Sequence, residues 1–116
     1  MKYAILIYRD EAKLATMTQA DMQEMRGAYF AYTQALREAG VYLGGEPLER
    51  SSTGTTVQVR DGLRTVQDGP YAELKEQLGG FYLIDCPDLD TALEWTARCP
   101  GASFGTLEVR PVLSLD

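Results

Sequence analysis

The sequence predicts an α+β chain of ferredoxin-like order, βαββαβ, with an antiparallel sheet and a β-hairpin inserted between its second and third strands. Three observations predict it. Period-2 and period-3.6 apolar patterns alternate in that order along the chain. A tight Asp61-Gly62 pair separates two alternating runs in the middle. The 116 residues, 45% hydrophobic and 24% charged, suit one folded domain spanning 1–116, with no linker or internal repeat.

"KYAILIYR" (Lys2 to Arg9) reads as the first strand, with Tyr3, Ile5 and Ile7 on one face and Ala4, Leu6 and Tyr8 on the other. A long helix follows. Thr18 caps it, with Asp21 in the reciprocal capping-box position, and Gly40 lies just past its end. Met22, Met25, Tyr29, Tyr32 and Leu36 form its apolar stripe, and Gly27 is read as a point of close packing. "VYLGGEPL" (Val41 to Leu48) is the second strand, interrupted by Gly44, Gly45 and Pro47; "RSSTG" is loop and "TTVQVRDGLRTVQ" the hairpin. One or two helical turns are expected around Ala72 to Gln77. "GFYLIDC" is the next strand and Asp88 caps a short helix with Leu89, Leu93 and Ala97 on its apolar face. "FGTLEVRPVL" is the last strand.

In the ferredoxin-like order the sheet runs 4-1-3-2 with both helices on one face. The two central strands, however, are apolar on both faces. An apolar sheet face of this size is an interaction surface, and the simplest cover is the same face of a second copy. The expectation is a homodimer through the sheet face, with Leu6 and Ile84 on the open side and Ile5 and Leu83 on the helix side. The same topology gathers Asp10, Glu46, the Asp68 to Glu76 segment and the "RCPGASFG" loop at one end of the sheet.

Net charge is −6 with eleven Lys and Arg against seventeen Asp and Glu. Nucleic-acid binding draws on basic side chains that displace counterions, so this balance argues against nucleic acid and against an anionic membrane surface. Only Met1 and Lys2 precede the first apolar run, which is too short for a signal sequence, and no stretch is long enough to span a bilayer. A cytoplasmic location is expected, with Cys86 and Cys99 as small buried hydrophobes. The absence of histidine removes Ser-His and Cys-His nucleophile pairs and the usual zinc sites; no metal and no cofactor is expected.

Asp68, Glu46 and Glu73 are the candidate catalytic carboxylates, and Tyr8, Tyr29, Tyr32 and Lys75 the candidate substrate-binding residues. Each has a plainer reading. Asp68 before Gly-Pro is ordinary turn chemistry, its carboxylate accepting backbone N–H groups. Glu73, Lys75 and Glu76 read as an acid–base set or, more simply, as a solvated charged turn, the reading that exposed charges favour. Glu46, held between Gly45 and Pro47, is better positioned than a residue on a free loop. Tyrosines at helical spacing usually belong to the core with their hydroxyls satisfied. Asp10, Glu46, Asp68 and Glu73 offer oxygen ligands for a hard cation, without any recognisable loop spacing.

The stretch "DGPYAELKEQLGGFYLID" (Asp68 to Asp85), with "YAILIYRDE", "TTVQVRDG" and "EVRPV", resembles the YCII-related family, in particular its DGPF branch, with Tyr71 where that branch has Phe. The resemblance spans nearly the whole chain and implies a dimeric α/β barrel of ferredoxin-like subunits. Some relatives carry a His-Asp pair proposed as catalytic, and one is linked to dehydrochlorination of a hydroxylated aromatic. With no histidine here, that pair does not carry over. Members of the branch also accompany sigma factors of the extracytoplasmic-function type. Two functions therefore stand: a cofactor-independent small-molecule enzyme using carboxylates at one end of the sheet, or a small-ligand sensor or accessory module for transcriptional regulation.

Overall fold

The computed structural model describes residues 1–115. Its elements are β1 (Lys2–Arg9), α1 (Glu11–Ala15), α2 (Gln19–Glu38), β2 (Tyr42–Pro47), β3 (Thr55–Arg60), β4 (Leu63–Asp68), β5 (Gln77–Asp85), α3 (Leu89–Arg98) and β6 (Thr106–Pro111), with single 3-10 turns at Ser51–Thr53 and Pro100–Ser103. One sheet has the order β2-β5-β1-β6, every pair antiparallel, and β3 and β4 form a separate hairpin. This is the ferredoxin-like order with the inserted hairpin. Asp61 and Gly62 both take positive φ (52° and 76°), as a type I′ turn requires.

The termini of α2 follow local chemistry. The Thr18 hydroxyl accepts the Asp21 N–H while the Asp21 carboxylate accepts the Thr18 N–H, both at 3.1 Å, closing the capping box. Gly40 at φ 75° turns the chain out of the helix. Gly27 packs against nothing: a Cβ there would have no atom within 4 Å. Its effect is therefore only the entropy of an unfolded glycine. Gly27→Ala is expected to stabilise the fold by about 0.5–1 kcal/mol, read as a raised Tm; a lowered Tm would restore the close-packing reading.

The core lies between the sheet and its two long helices. Tyr3, Ile5 and Ile7 of β1 and Tyr82 and Ile84 of β5 are buried against Tyr32, Leu36, Ala92 and Cys99. Tyr32 packs edge-on to Tyr82 at 5.3 Å and donates its hydroxyl to the Trp95 carbonyl at 2.8 Å. Cys86 and Cys99 are buried and free.

The structure corrects three expectations. Tyr3 stands opposite Ile84 and Ala4 opposite Leu83, so Ile84 is on the helix side, fully buried, while Leu83 shares the open face with Leu6 and Phe81. Strand parity in β5 is set by its pairing to β1, which the β5 residues alone do not encode. In α3 the covered face is Ala92 and Thr96, continued by Cys99 just past its end, with Trp95 partly buried; Leu89 and Leu93 are about half exposed and Ala97 is exposed. Small residues let the helix sit close to the sheet, so the larger leucines turn outward. The turns expected around Ala72 to Gln77 are not helical. There the Gln77 amide donates to the Ala72 and Leu74 carbonyls, replacing the backbone bonds a helix would make.

Among the described residues, no helix is long and apolar enough to cross a membrane.

Candidate functional site

The last residues of β1, the first turns of α2 and the loop after Cys99 meet at one end of the sheet. Between them lies a cavity of about 400 Å³. Ile7, Met17, Met25 and Phe104 give it apolar walls, while Arg9 and Tyr29 add polar groups. Two glycines bring the walls together. A Cβ on Gly101 would lie 2.7 Å from the Tyr29 hydroxyl oxygen, and one on Gly105 would run into the Tyr8 carbonyl and 3.2 Å from the Arg9 Cα. No other residue type fits the loop this tightly against β1.

Burial pushes the Tyr29 phenol pKa upward, with the neighbouring Cys99 adding to the effect. Tyr29 is therefore neutral at any physiological pH, a hydrogen-bond donor rather than a base. The Cys99 thiol is raised by burial too, which removes it as a nucleophile.

A second cavity, about 820 Å³ and more open, lies where β1 and β6 meet the loop before β5. Asp10, Lys13, Lys75, Glu76 and Glu108 border it, and the Thr106 hydroxyl donates to Glu76 Oε1 at 2.8 Å.

The candidate residues divide among these places. Tyr8 borders both cavities and Tyr29 the helix-side one. Lys75 and Asp10 border the second. Tyr32 lines neither, its ring and hydroxyl both spent in the core. Glu46 stands opposite Phe81 on the edge strand, exposed and on the open face. Asp68 and Glu73 are exposed and border neither cavity. Among the described residues, no three Cys, Asp or Glu side chains converge as a cation site would require, so Asp10, Glu46, Asp68 and Glu73 do not form one.

The Asp-Gly-Pro-Tyr turn is held by its backbone. Gly69 takes φ 103° and donates its N–H to the Gly54 carbonyl at 2.7 Å, while the Asp68 carboxylate accepts no hydrogen bond among the described residues. Tyr71 is 88% exposed. Asp68→Ala is therefore expected to change stability by less than about 0.5 kcal/mol. Gly69→Ala is expected to cost about 1 kcal/mol or more, because a side chain is strained at that φ. Thermal unfolding of the two variants separates them; a larger loss from Asp68→Ala would return the turn to its carboxylate.

Arg9, which borders the helix-side cavity, and Glu11 are not among the residues expected from the sequence. Arg9 shares the parity of Tyr3, Ile5 and Ile7, a signal that was present in the strand pattern. Glu11 accepts both the Ser51 N–H (2.8 Å) and the Ser51 hydroxyl (2.5 Å), tying α1 to the loop after β2. Those bonds to Ser51 hold the Glu11 carboxyl below its ordinary value. A depressed carboxylate stabilises the fold above its unfolded pKa and loses that contribution as pH falls through the folded one. The acid limb of wild-type unfolding below about pH 4.5 is thus expected to flatten in Glu11→Gln; an unchanged limb would remove Glu11 from that account.

Three comparisons bear on this geometry. The family model described as "YCII-related domain" matches residues 1–116. An uncharacterised protein of Rhizobium meliloti (strain 1021) is 37% identical over 114 residues, covering 97% of this chain and 92% of that one. The solved structure of 5-chloro-2-hydroxyhydroquinone dehydrochlorinase from Burkholderia phenoliruptrix AC1100, in complex with 2,5-dihydroxybenzoquinone, superposes with a TM-score of 0.56 at 16% identity, over 97% of this chain and 94% of that one.

Proposed function

Because this chain belongs to the YCII-related family along its whole length, we propose that it binds a small, largely apolar molecule in the cavity between α2, the end of β1 and the loop after Cys99. The observation that carries this reading is the cavity itself: apolar walls with a few convergent polar groups, at the end of the sheet where the loops meet. The carboxylates Glu46, Asp68 and Glu73 border no common cavity, and acid–base chemistry needs its groups within hydrogen-bond reach of one substrate. That favours a ligand-binding module over carboxylate catalysis. An enzymatic role is the second reading, supported by the dehydrochlorinase of like fold. On that reading Arg9 and the neutral Tyr29 are the polar groups beside the substrate, and Tyr8 and Lys75 serve a site on the other cavity.

The test is extraction of small molecules from the purified chain, compared with Ala28→Trp. Ala28 borders the cavity from the exposed side of α2, so the indole fills the space without entering the core. A molecule retained by the wild type and absent from the variant supports the reading. Equal retention by both places the ligand elsewhere.

The open face of the sheet is proposed to pair with a second copy. Neither α2 nor α3 covers Leu6, Phe81 and Leu83. The accessible surface is 8227 Å², against about 6,300 Å² for a monomer of this mass. The radius of gyration is 16.2 Å, against about 13 Å for a compact chain of this length. The surplus area is of the order each subunit buries in an obligate dimer, about 1,000–2,500 Å².

A further inference from the structure

Arg9 lies at the wall of the helix-side cavity with much of its hydrogen-bonding capacity unspent. Its side chain crosses the backbone of Gly79, where a Cβ would come within 2.7 Å of Cδ and 2.8 Å of Cζ. The first glycine of the "GG" pair before β5's apolar run is thus the seat of this side chain. One guanidinium N–H reaches the Leu48 carbonyl at 3.2 Å. The Nε is buried and has no acceptor among the described residues. No carboxylate pairs with Arg9 either: the ion pairs among the described residues are Met1–Asp85 and Arg110–Glu108. Glu11, two positions on, is a charge neighbour of Arg9 but makes no ion pair with it, both of its oxygens being occupied by Ser51. At the rim, Asp21 is committed to the Thr18 N–H, and Glu24 is exposed.

A partly buried guanidinium with a buried Nε and no carboxylate in hydrogen-bonding contact keeps donors that an incoming anion can take up. Its planar fork matches a carboxylate. The walls beyond it are apolar, and the two rim carboxylates oppose a second negative charge on the ligand. We propose that the ligand is a compact apolar monocarboxylic acid, its carboxylate paired to Arg9 and its body packed against Met25, Ile7 and Phe104. This rests on the reading of the cavity as the ligand site, and adds the charge and class of what enters.

Calorimetric titration of the full chain with benzoate, benzamide and benzylamine tests it, since the three share a ring and differ in charge. Benzoate is expected to bind the wild type and to bind Arg9→Met roughly tenfold or more weakly, because the variant keeps the stem and loses the fork. Arg9→Lys, a second variant should Arg9→Met not fold, is expected to fall between them. Benzamide is expected to bind weakly and to be indifferent to Arg9→Met. Benzoate binding that survives both substitutions overturns the proposal, as does benzamide or benzylamine binding as tightly as benzoate, or no binding of benzoate at all. A neutral or cationic probe that binds the wild type but not Ala28→Trp leaves the cavity as the ligand site while sinking the acid. Binding of any probe that Ala28→Trp does not disturb sinks the cavity reading instead.

Discussion

Ile84→Asp is expected not to fold, whereas Leu83→Asp and Leu6→Asp are expected to keep their secondary structure and sediment as monomers. Adjacent positions on β5 should thus behave oppositely. Ile84 is fully buried beneath the helices and opposite Tyr3. A carboxylate there has no partner and no water, a change worth more than about 4 kcal/mol. That approaches the whole stability of a domain, about 5–15 kcal/mol. Leu83 and Leu6 are only half covered, on the side away from the core. An aspartate there stays hydrated in the isolated subunit and repels its symmetry mate in a dimer. Circular dichroism and sedimentation velocity at micromolar concentration read the two effects separately. Leu83→Asp that stays dimeric, or a wild type that is already monomeric, removes the open face as the interface.

The second large effect is expected at Gly105. An added Cβ there meets the Tyr8 carbonyl, Tyr8 C at 3.2 Å and Arg9 Cα at 3.2 Å. All three are backbone atoms, and no rotamer change relieves the contact. Either β1 or the loop from Pro100 must move, and both are walls of the helix-side cavity. Gly105→Ala is expected to cost about 1–3 kcal/mol, the range for overpacking, and to lower Tm by several degrees. Gly79→Ala is the contrast, since its Cβ meets the displaceable side chain of Arg9. It is expected to cost less stability than Gly105→Ala while moving the guanidinium. A Gly105→Ala protein as stable as wild type would mean that the loop is not seated against β1 as described.

Much of the fold is legible in local pattern. The alternation in Tyr3 to Tyr8, the Thr18 and Asp21 pair and the Asp61-Gly62 turn each act within a few residues, so the sequence displays them directly. What escapes depends on distant partners. Ile84 and Leu83 exchange faces according to the β1–β5 register, which carries a shift between Ile7 and Tyr8. Leu89 and Leu93 look like the inner stripe of α3, yet Ala92, Thr96 and Cys99 permit closer approach to the sheet and win the core. The candidate site was harder still. Carboxylates are visible in a sequence, but their placement is not: Glu46 lies on an edge strand, and Asp68 and Glu73 are exposed. Nothing local to Arg9 shows where its side chain goes. That placement depends on Gly79, seventy residues away in sequence, leaving room for its side chain.

The most direct measurement is native mass spectrometry of the wild-type chain, purified without added ligand, beside Ala28→Trp. The account predicts a wild-type dimer carrying one small molecule per subunit, and an Ala28→Trp dimer carrying none. A bare wild-type chain, or the same small molecule held equally by both proteins, would contradict it.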